Sequence, residues 1–311
     1  MKELRELKNR ASLKDLCSLF GHSRQAYYEW GNREQEDALE QAIIIDLVRH
    51  IRQDIPRIGS RALHFMLQQQ WEKQGIKCGR DRLIEILRQA EMLIYPKRKY
   101  TQTTNSRHHF YKYPNLIKEL EINRPEQLWV SDLTYIRVQE EWNYVIFITD
   151  AYSHKMMGFR VDDNMKTDMC VQALDMALAA RTKREQTLIH HSDRGVQYCS
   201  KGYVQGLLNQ PNIQISMTQN GDPLENALAE RVNGIFKNTY NMDQRFESLI
   251  EAQEAIAKMV YSYNNVRPHS SCDMMTPNEA HQGTGALKRR WKTYYKKASV
   301  MAEELGSEPS S

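Results

Sequence analysis

The chain has 311 residues, of which 41% are hydrophobic and 9% aromatic, with a formal net charge of +4. No apolar run approaches the roughly 18–20 residues that span a bilayer, and the N-terminal "MKELRELKNR" lacks the apolar stretch of a secretory signal, so a cytoplasmic globular protein is expected. The cysteines (Cys17, Cys78, Cys170, Cys199, Cys272) are odd in number, scattered and without zinc-type spacing, which argues for reduced thiols rather than a disulfide framework or a zinc site.

The charge is unevenly placed. Residues 1–110 carry 20 Lys/Arg against 14 Asp/Glu, residues 111–284 carry 17 against 22, and the tail from Gly285 carries 6 against 3. Basic ends around an acidic middle suit a polyanion held about a carboxylate-lined, cation-binding centre, although a solvated surface has the same composition.

The first expected module is "SLKDLCSLFGHSRQAYYEW", residues 12–30. Leu13, Leu16, Cys17, Leu19 and Phe20 form one apolar helical face, Gly21-His22 makes a turn, and Ser23 can cap a second helix carrying Arg24, Gln25, Tyr27 and Tyr28. This is a helix-turn-helix pattern, with an ordinary helical hairpin as the plain alternative. A second helical module follows, with helices over 38–53, 59–75 (Ser60 as its cap) and 79–93. The last carries Arg80, Arg82 and Arg88, as a small DNA-binding bundle would. The stretch 95–115, "YPKRKYTQTTNSRHHFYKYPN", is basic, interleaved with aromatics and aperiodic. It reads as a linker in which Lys97, Arg98 and Lys99 can follow a phosphate backbone.

From about residue 126 the pattern turns to strands: 127–138, 143–153 and 155–161, then a helix over 167–181, a strand over 186–191, a helix over 201–210, a strand over 213–218 and a helix over 223–240. The order βββαβαβα is that of a ribonuclease H-like fold, a mixed sheet with helices on its faces. Asp132 lies inside the first strand, where Trp129, Ser131, Leu133 and Tyr135 occupy the other side. Asp193, in "HHSDRGVQY", ends the fourth strand, with Gly195 letting the chain turn sharply away. In this topology the first and fourth strands are neighbours. Two adjacent carboxylates repel, and a divalent cation relieves that repulsion by taking oxygens from both. On the last helix Asp222 and Pro223 suit a start and Glu225 the capping-box position, so Glu225 reads as structural. Glu230, two turns in, is the expected third ligand, with Lys237 on the same face.

The blocks "WVSDLTYI", "HHSDRGVQY" and "NGDPLENALAERVNGIFK", followed by "YNNVRPHSSCDMMTPNEA", resemble in order and spacing those of bacterial insertion-sequence DDE transposases with a retroviral-integrase-like core. Between Asp193 and Glu230 lie 36 residues, one more than is usual in that family, and the extra residue is assigned to the loop "QNGDP". The resemblance covers roughly residues 38–282. It implies a ribonuclease H-like integrase core with a five-stranded mixed sheet, preceded by all-α helix-turn-helix modules. It also implies Asp132, Asp193 and Glu230 as catalytic and metal-binding residues, and Lys237 as a DNA contact.

The corresponding chemistry is two-metal phosphodiester cleavage and strand transfer with Mg²⁺ (Mn²⁺ as substitute), the ions about 3.5–4 Å apart. Expected partners are the element's terminal repeats and target DNA, further copies of the chain assembled on DNA, and an upstream-frame transposon protein. Arg24, Arg80, Arg82, Lys97, Arg98, Lys99 and Arg267 are further candidate DNA contacts. The expected domains are 1–35 helix-turn-helix, 36–94 second helical module, 95–124 basic linker, 125–282 catalytic core and 283–311 tail. The alternatives are a metal-dependent nuclease of the same fold and a non-catalytic DNA-binding derivative. Asp150 reads as stabilising a hairpin beside Ser153, and His190 and His191 as packing or DNA contacts rather than ligands, since hard Mg²⁺ prefers oxygen.

Overall fold

Strong helix formers without a proline join what the sequence pattern separates near residue 35. The computed structural model describes residues 12–95, 111–219 and 226–287, so Lys97, Arg98, Lys99, Asp222, Pro223, Glu225 and the tail beyond residue 287 lie outside the described residues. The chain divides into two units, Met1–Gln53 with Gly59–Ile94, and Asp54–Ile58 with Tyr95–Ser311.

In the first unit, α1 (Leu13–Leu19) is capped by Ser12, whose Oγ accepts from the Asp15 N–H. Gly21, at φ +70°, makes the expected turn, and Ser23 Oγ accepts from the Ala26 N–H at 3.0 Å. The next helix, α2 (Arg24–Asp54), runs unbroken for 31 residues. The separate helices expected over 23–30 and 38–53 are therefore one, and no break falls at residue 35. Gly31 alone does not stop it, because glycine in a helix interior costs only about 1 kcal/mol against alanine. Helix α3 (Ser60–Gln74) has Gly59 rather than Ser60 at its N-cap and ends on left-handed Gly75. Helix α4 (Arg80–Gln89) stops short of Leu93, since Glu91 takes φ 55°. Ile44, Val48, Leu63, Leu67, Trp71, Leu83 and Leu87 are buried within this unit. Arg82 bonds to Asp37 at 3.1 Å, Glu40 at 2.9 Å and the Lys77 carbonyl at 2.9 Å.

The second unit is built on strands β1 (Leu128–Val138), β2 (Glu141–Asp150), β3 (Met156–Asp162), β4 (Leu188–Ser192) and β5 (Ile213–Met217) in the order β3-β2-β1-β4-β5. β1–β2 and β2–β3 are antiparallel, and β1–β4 and β4–β5 parallel. This is the mixed five-stranded sheet of the ribonuclease H-like fold. A sixth strand, β6 (Arg245–Phe246), pairs in parallel with the far end of β1; two residues are too few to show alternation in sequence.

Helices α5 (Thr167–Ala180) and α6 (Lys201–Leu208) bury Trp129, Ile146, Ile148, Met157, Leu174 and Tyr203 on one face. The approach of α5 is close: a Cβ on Gly158 would lie 2.2 Å from the Ala173 carbonyl oxygen. On the other face, α7 (Ala227–Thr239) and α8 (Leu249–Asn265) pack through Phe147, Phe236, Tyr240 and Tyr263, with Ala229 against Leu128 and Val130.

The short α9 (Pro277–His281) is held by a capping box between Thr276 and Glu279. His281 reaches a buried acidic corner. Asp150 accepts from the N–H groups of Glu126 and Ser153 and from Ser153 Oγ, as a hairpin-stabilising residue should. Because the Ser153 hydroxyl proton is committed to Asp150, His281 Nδ1 donates to Ser153 Oγ at 2.9 Å, while Nε2 faces Glu126 at 3.4 Å. Among the described residues no helix is long and apolar enough to cross a membrane.

Candidate active site

The first functional relationship is set by strand register. Parallel pairing of β1 with β4 ends at Ser131↔Ser192, and the next residue in each segment is an aspartate, Asp132 and Asp193. Alternation turns Trp129 and Ser131 toward α5 and α6, and Leu128, Val130 and Asp132 toward α7. Asp132 is only 7% exposed. Burial first, then the charges of Asp193 and Glu230, push its carboxyl up to about 7, against the donation from Asn233. Asp193 accepts from the Gly195 N–H at 2.9 Å. The chain turns at Gly195, whose carbonyl accepts from the Tyr198 and Cys199 N–H groups, and a Cβ there would lie 3.0 Å from the Asp193 carboxylate.

Helix α7 supplies the rest. Glu230 is exposed in its first turn, not two turns in, because the described helix begins at Ala227. Asn233 donates to Asp132 Oδ2 at 2.7 Å. Half-buried Lys237 is pushed down by burial, while Asp132 and Asp243 pull it back up. Residues 230, 233 and 237 share one helical stripe. Asn226, the N-cap, donates to the Ser131 carbonyl at 3.3 Å and fixes the start of α7 against β1. Asn226 and Asn233 were missed from sequence, although the spacing Glu230, Asn233, Lys237 marks the second of them.

The structure thus brings Asp132 and Asp193 together and places Glu230 within range of Asp132. Among the described residues, no three His, Cys, Asp or Glu side chains stand close enough to hold a metal ion. The donor chemistry nevertheless suits a hard divalent cation. A buried carboxylate sits beside a second one, and the amide oxygens of Asn226 and Asn233 are buried without hydrogen-bond partners among the described residues.

The remaining candidates have other surroundings. His190 is buried against the Tyr203 hydroxyl at 3.0 Å and pushed down to about 3 by burial, and His191 Nδ1 meets Ser216 Oγ at 2.8 Å. Tyr198 is buried beside Ser131 Oγ at 3.2 Å, and burial holds its hydroxyl well above its usual pKa. Arg267 points inward with its Nε enclosed, and Nη1 donates to the ring of buried His269. Arg24 and Arg80 are exposed in the first unit, Arg80 beside Asp81 at 3.0 Å.

A mixed sheet with adjacent aspartates on neighbouring strands and a glutamate on the following helix defines an integrase-core enzyme. The integrase core domain family matches residues 122–223, and a second integrase core domain family matches 211–277. The chain is 35% identical over 268 residues to an insertion element IS600 31 kDa protein of Shigella sonnei, covering 84% of this chain and 96% of that one. It is 32% identical over 238 residues to the transposase for insertion sequence element IS629 of Shigella sonnei, covering 76% and 74%. With the transposase InsF for IS3A of Escherichia coli strain K12 it shares 27% over 274 residues, covering 86% and 93%. The chain belongs to the bacterial insertion-sequence DDE transposases with an integrase core, a family of DNA-acting polynucleotidyl transferases that depend on divalent metal ions.

Proposed function

We propose that this transposase binds the ends of its element, cleaves at their 3′ termini and joins them to target DNA, with Asp132, Asp193 and Glu230 as the catalytic carboxylates. The observation that carries this reading is the placement of Asp132 and Asp193 immediately after the last residues that β1 and β4 pair with each other, under the stripe Glu230–Asn233–Lys237 of α7. These carboxylates would hold Mg²⁺, or Mn²⁺ in its place, in a two-ion arrangement. Bound there, the ions would supply an activated water or 3′-hydroxyl and compensation for charge at the scissile phosphate.

The chain's own residues do the positioning. Asn233 orients Asp132, the Gly195 N–H fixes Asp193, and Lys237 neutralises a phosphate flanking the scissile bond. Arg24 and Arg80, with Lys97, Arg98 and Lys99, contact DNA before the core. Arg82 and Arg267 are committed to internal partners and brace their surroundings. The active species is an assembly of copies on DNA, aided by an upstream-frame protein of the same element. A joining assay with labelled element-end DNA, target DNA and Mg²⁺ tests the reading: joined products support it, and cutting without joining indicates a nuclease.

A further inference from the structure

Helix α7 is fixed to the sheet near its start, where Asn226 bonds the Ser131 carbonyl and Asn233 bonds Asp132. Lys237 lies in its last turn. The last four carbonyls of a helix have no partner within it, so the final turn frays unless something else meets them. Phe236 O accepts from the Tyr240 and Met242 N–H groups. The carbonyls of Asn238 and Thr239 are met by Arg57, which stands 181 positions before Asn238 in sequence.

The turn Ile55-Pro56-Arg57-Ile58 presents this arginine, and it belongs to the second unit. Proline sets φ at about −65°, as the second position of a common β-turn requires. The Ile58 N–H closes the turn on the Ile55 carbonyl at 3.2 Å, and Ile55 and Ile58 are both buried. In a turn of this kind the N–H of the third residue has no partner inside the turn. Here that N–H belongs to Arg57 and donates to Thr239 O at 2.9 Å. Arg57 Nε donates to Asn238 O at 3.0 Å, and Nη2 to the Tyr95 carbonyl at 2.6 Å. Among the described residues, every partner of this guanidinium is a carbonyl oxygen and none is a carboxylate. A cation placed there closes the last carbonyls of the helix and meets the negative end of its dipole.

We infer that Arg57 is a positioning residue for the reaction: it fixes the last turn of α7 and so holds Lys237 on the stripe shared with Glu230 and Asn233. The inference rests on the proposed role of Lys237 at a phosphate flanking the scissile bond. Arg57 touches α7 only at backbone oxygens, so its effect on DNA passes through Lys237. Glu230 and Asn233, nearer the start of the helix, keep their own anchors.

The test is a double-mutant cycle in the full-length protein, with joining in Mg²⁺ followed as the concentration of element-end duplex is varied. Arg57→Ala is expected to raise the end-DNA concentration for half-maximal joining about fivefold, within the range of coupling between neighbours in one network, and Lys237→Ala by at least as much. The maximal rate should change far less, because a flanking phosphate is held alike before and during the reaction. Arg57→Lys, which keeps a cation at the helix end, should recover part of the loss. The double variant should be no weaker than Lys237→Ala alone. If the two losses multiply, or if Arg57→Ala joins as wild type does while Lys237→Ala falls, the inference is overturned.

Amide hydrogen exchange of the same proteins without DNA or metal separates this inference from the activity on which it rests. If wild type joins no ends, or Lys237→Ala joins as wild type does, the proposed activity or the role of Lys237 fails. Faster exchange in Arg57→Ala, confined to the last turn of α7, would still show that Arg57 fixes that turn. Unchanged exchange there, or a rise throughout the second unit, would overturn it.

Discussion

Asn233 on α7 donates a hydrogen bond of 2.7 Å to Asp132 on β1, tying the helix that carries Glu230 and Lys237 to the carboxylate in the sheet. Burial and the neighbouring acids oppose ionisation of Asp132, and this N–H is one of the groups that favour it. Asn233→Ala is expected to lower the joining rate at saturating DNA by roughly 5- to 150-fold, as loss of a buried charged hydrogen bond worth about 1–3 kcal/mol implies. It should also raise the Mg²⁺ concentration needed. Joining rates across an Mg²⁺ titration measure both effects; a wild-type curve would reduce the bond to a packing contact.

In the proposed reaction Asp132 would serve as a metal ligand, and its burial beside other acids would cost the metal-free fold. Asp132→Asn removes a buried charge yet keeps an oxygen that can accept from Asn233. The variant should melt at the wild-type temperature or above it without metal, and should lose the rise that Mg²⁺ gives the wild type. Thermal melts with and without Mg²⁺ check this. A variant that melts lower in both conditions would mean that Asp132 is a structural carboxylate.

The core was legible where chemistry and periodicity coincide. Alternation around Asp132 gave its side of β1, and the order of strands gave its neighbour Asp193. Asn233 was not singled out because, beyond its spacing from Glu230 and Lys237, an amide on a helix carries no chemical signature until its partner is known. Gly195 was recognised as a turning point, and the chain does turn there; the closeness of the Asp193 carboxylate to its Cα was not legible, because nothing in the sequence shows which way that side chain folds. The continuity of α2 was missed because two apolar periodic stretches, 12–30 and 38–53, were taken as separate modules, whereas one 31-residue helix joins them and its single interior glycine is a small cost. β6 is held by its neighbour β1, and no pattern of its own marks it.

The corner of Glu126, Asp150 and His281 predicts a stability maximum in mildly acid solution. Burial pushes Glu126 up, but hydrogen bonds from His281, Thr182 and Lys183 outweigh it and hold the carboxyl at about 2. Its contribution is present above the ordinary carboxylate pKa and is lost as pH falls toward 2. Burial pulls His281 down, but Asp150 and Glu126 raise it above the usual histidine value. Its contribution is full below about 6.5 and is lost as pH rises through the folded value. Both act together between about pH 4.5 and 6.5. His281→Gln should flatten the alkaline side of the melting-temperature profile and Glu126→Gln the acid side; unchanged slopes would show that the corner does not titrate in this way.

Gly158→Ala should destabilise the core by about 3 kcal/mol or more, since its Cβ would meet the Ala173 carbonyl and force α5 off β3. Denaturant unfolding measures the loss. A cost below about 0.5 kcal/mol, the range of ordinary surface changes, would show that α5 is not seated so closely.

The central claim is that Asp132, Asp193 and Glu230 act as one metal-dependent group, and strand transfer in Mg²⁺ by the four proteins wild type, Asp132→Asn, Asp193→Asn and Glu230→Gln tests it most directly. Each substitution keeps shape and removes a charge, so each variant should bind element-end DNA with near wild-type affinity while joining falls below detection. Glu225→Gln, run alongside, should join ends. Wild-type joining by any of the three variants would remove that residue from the group, and abolition by Glu225→Gln with retention by Glu230→Gln would move the third carboxylate to Glu225.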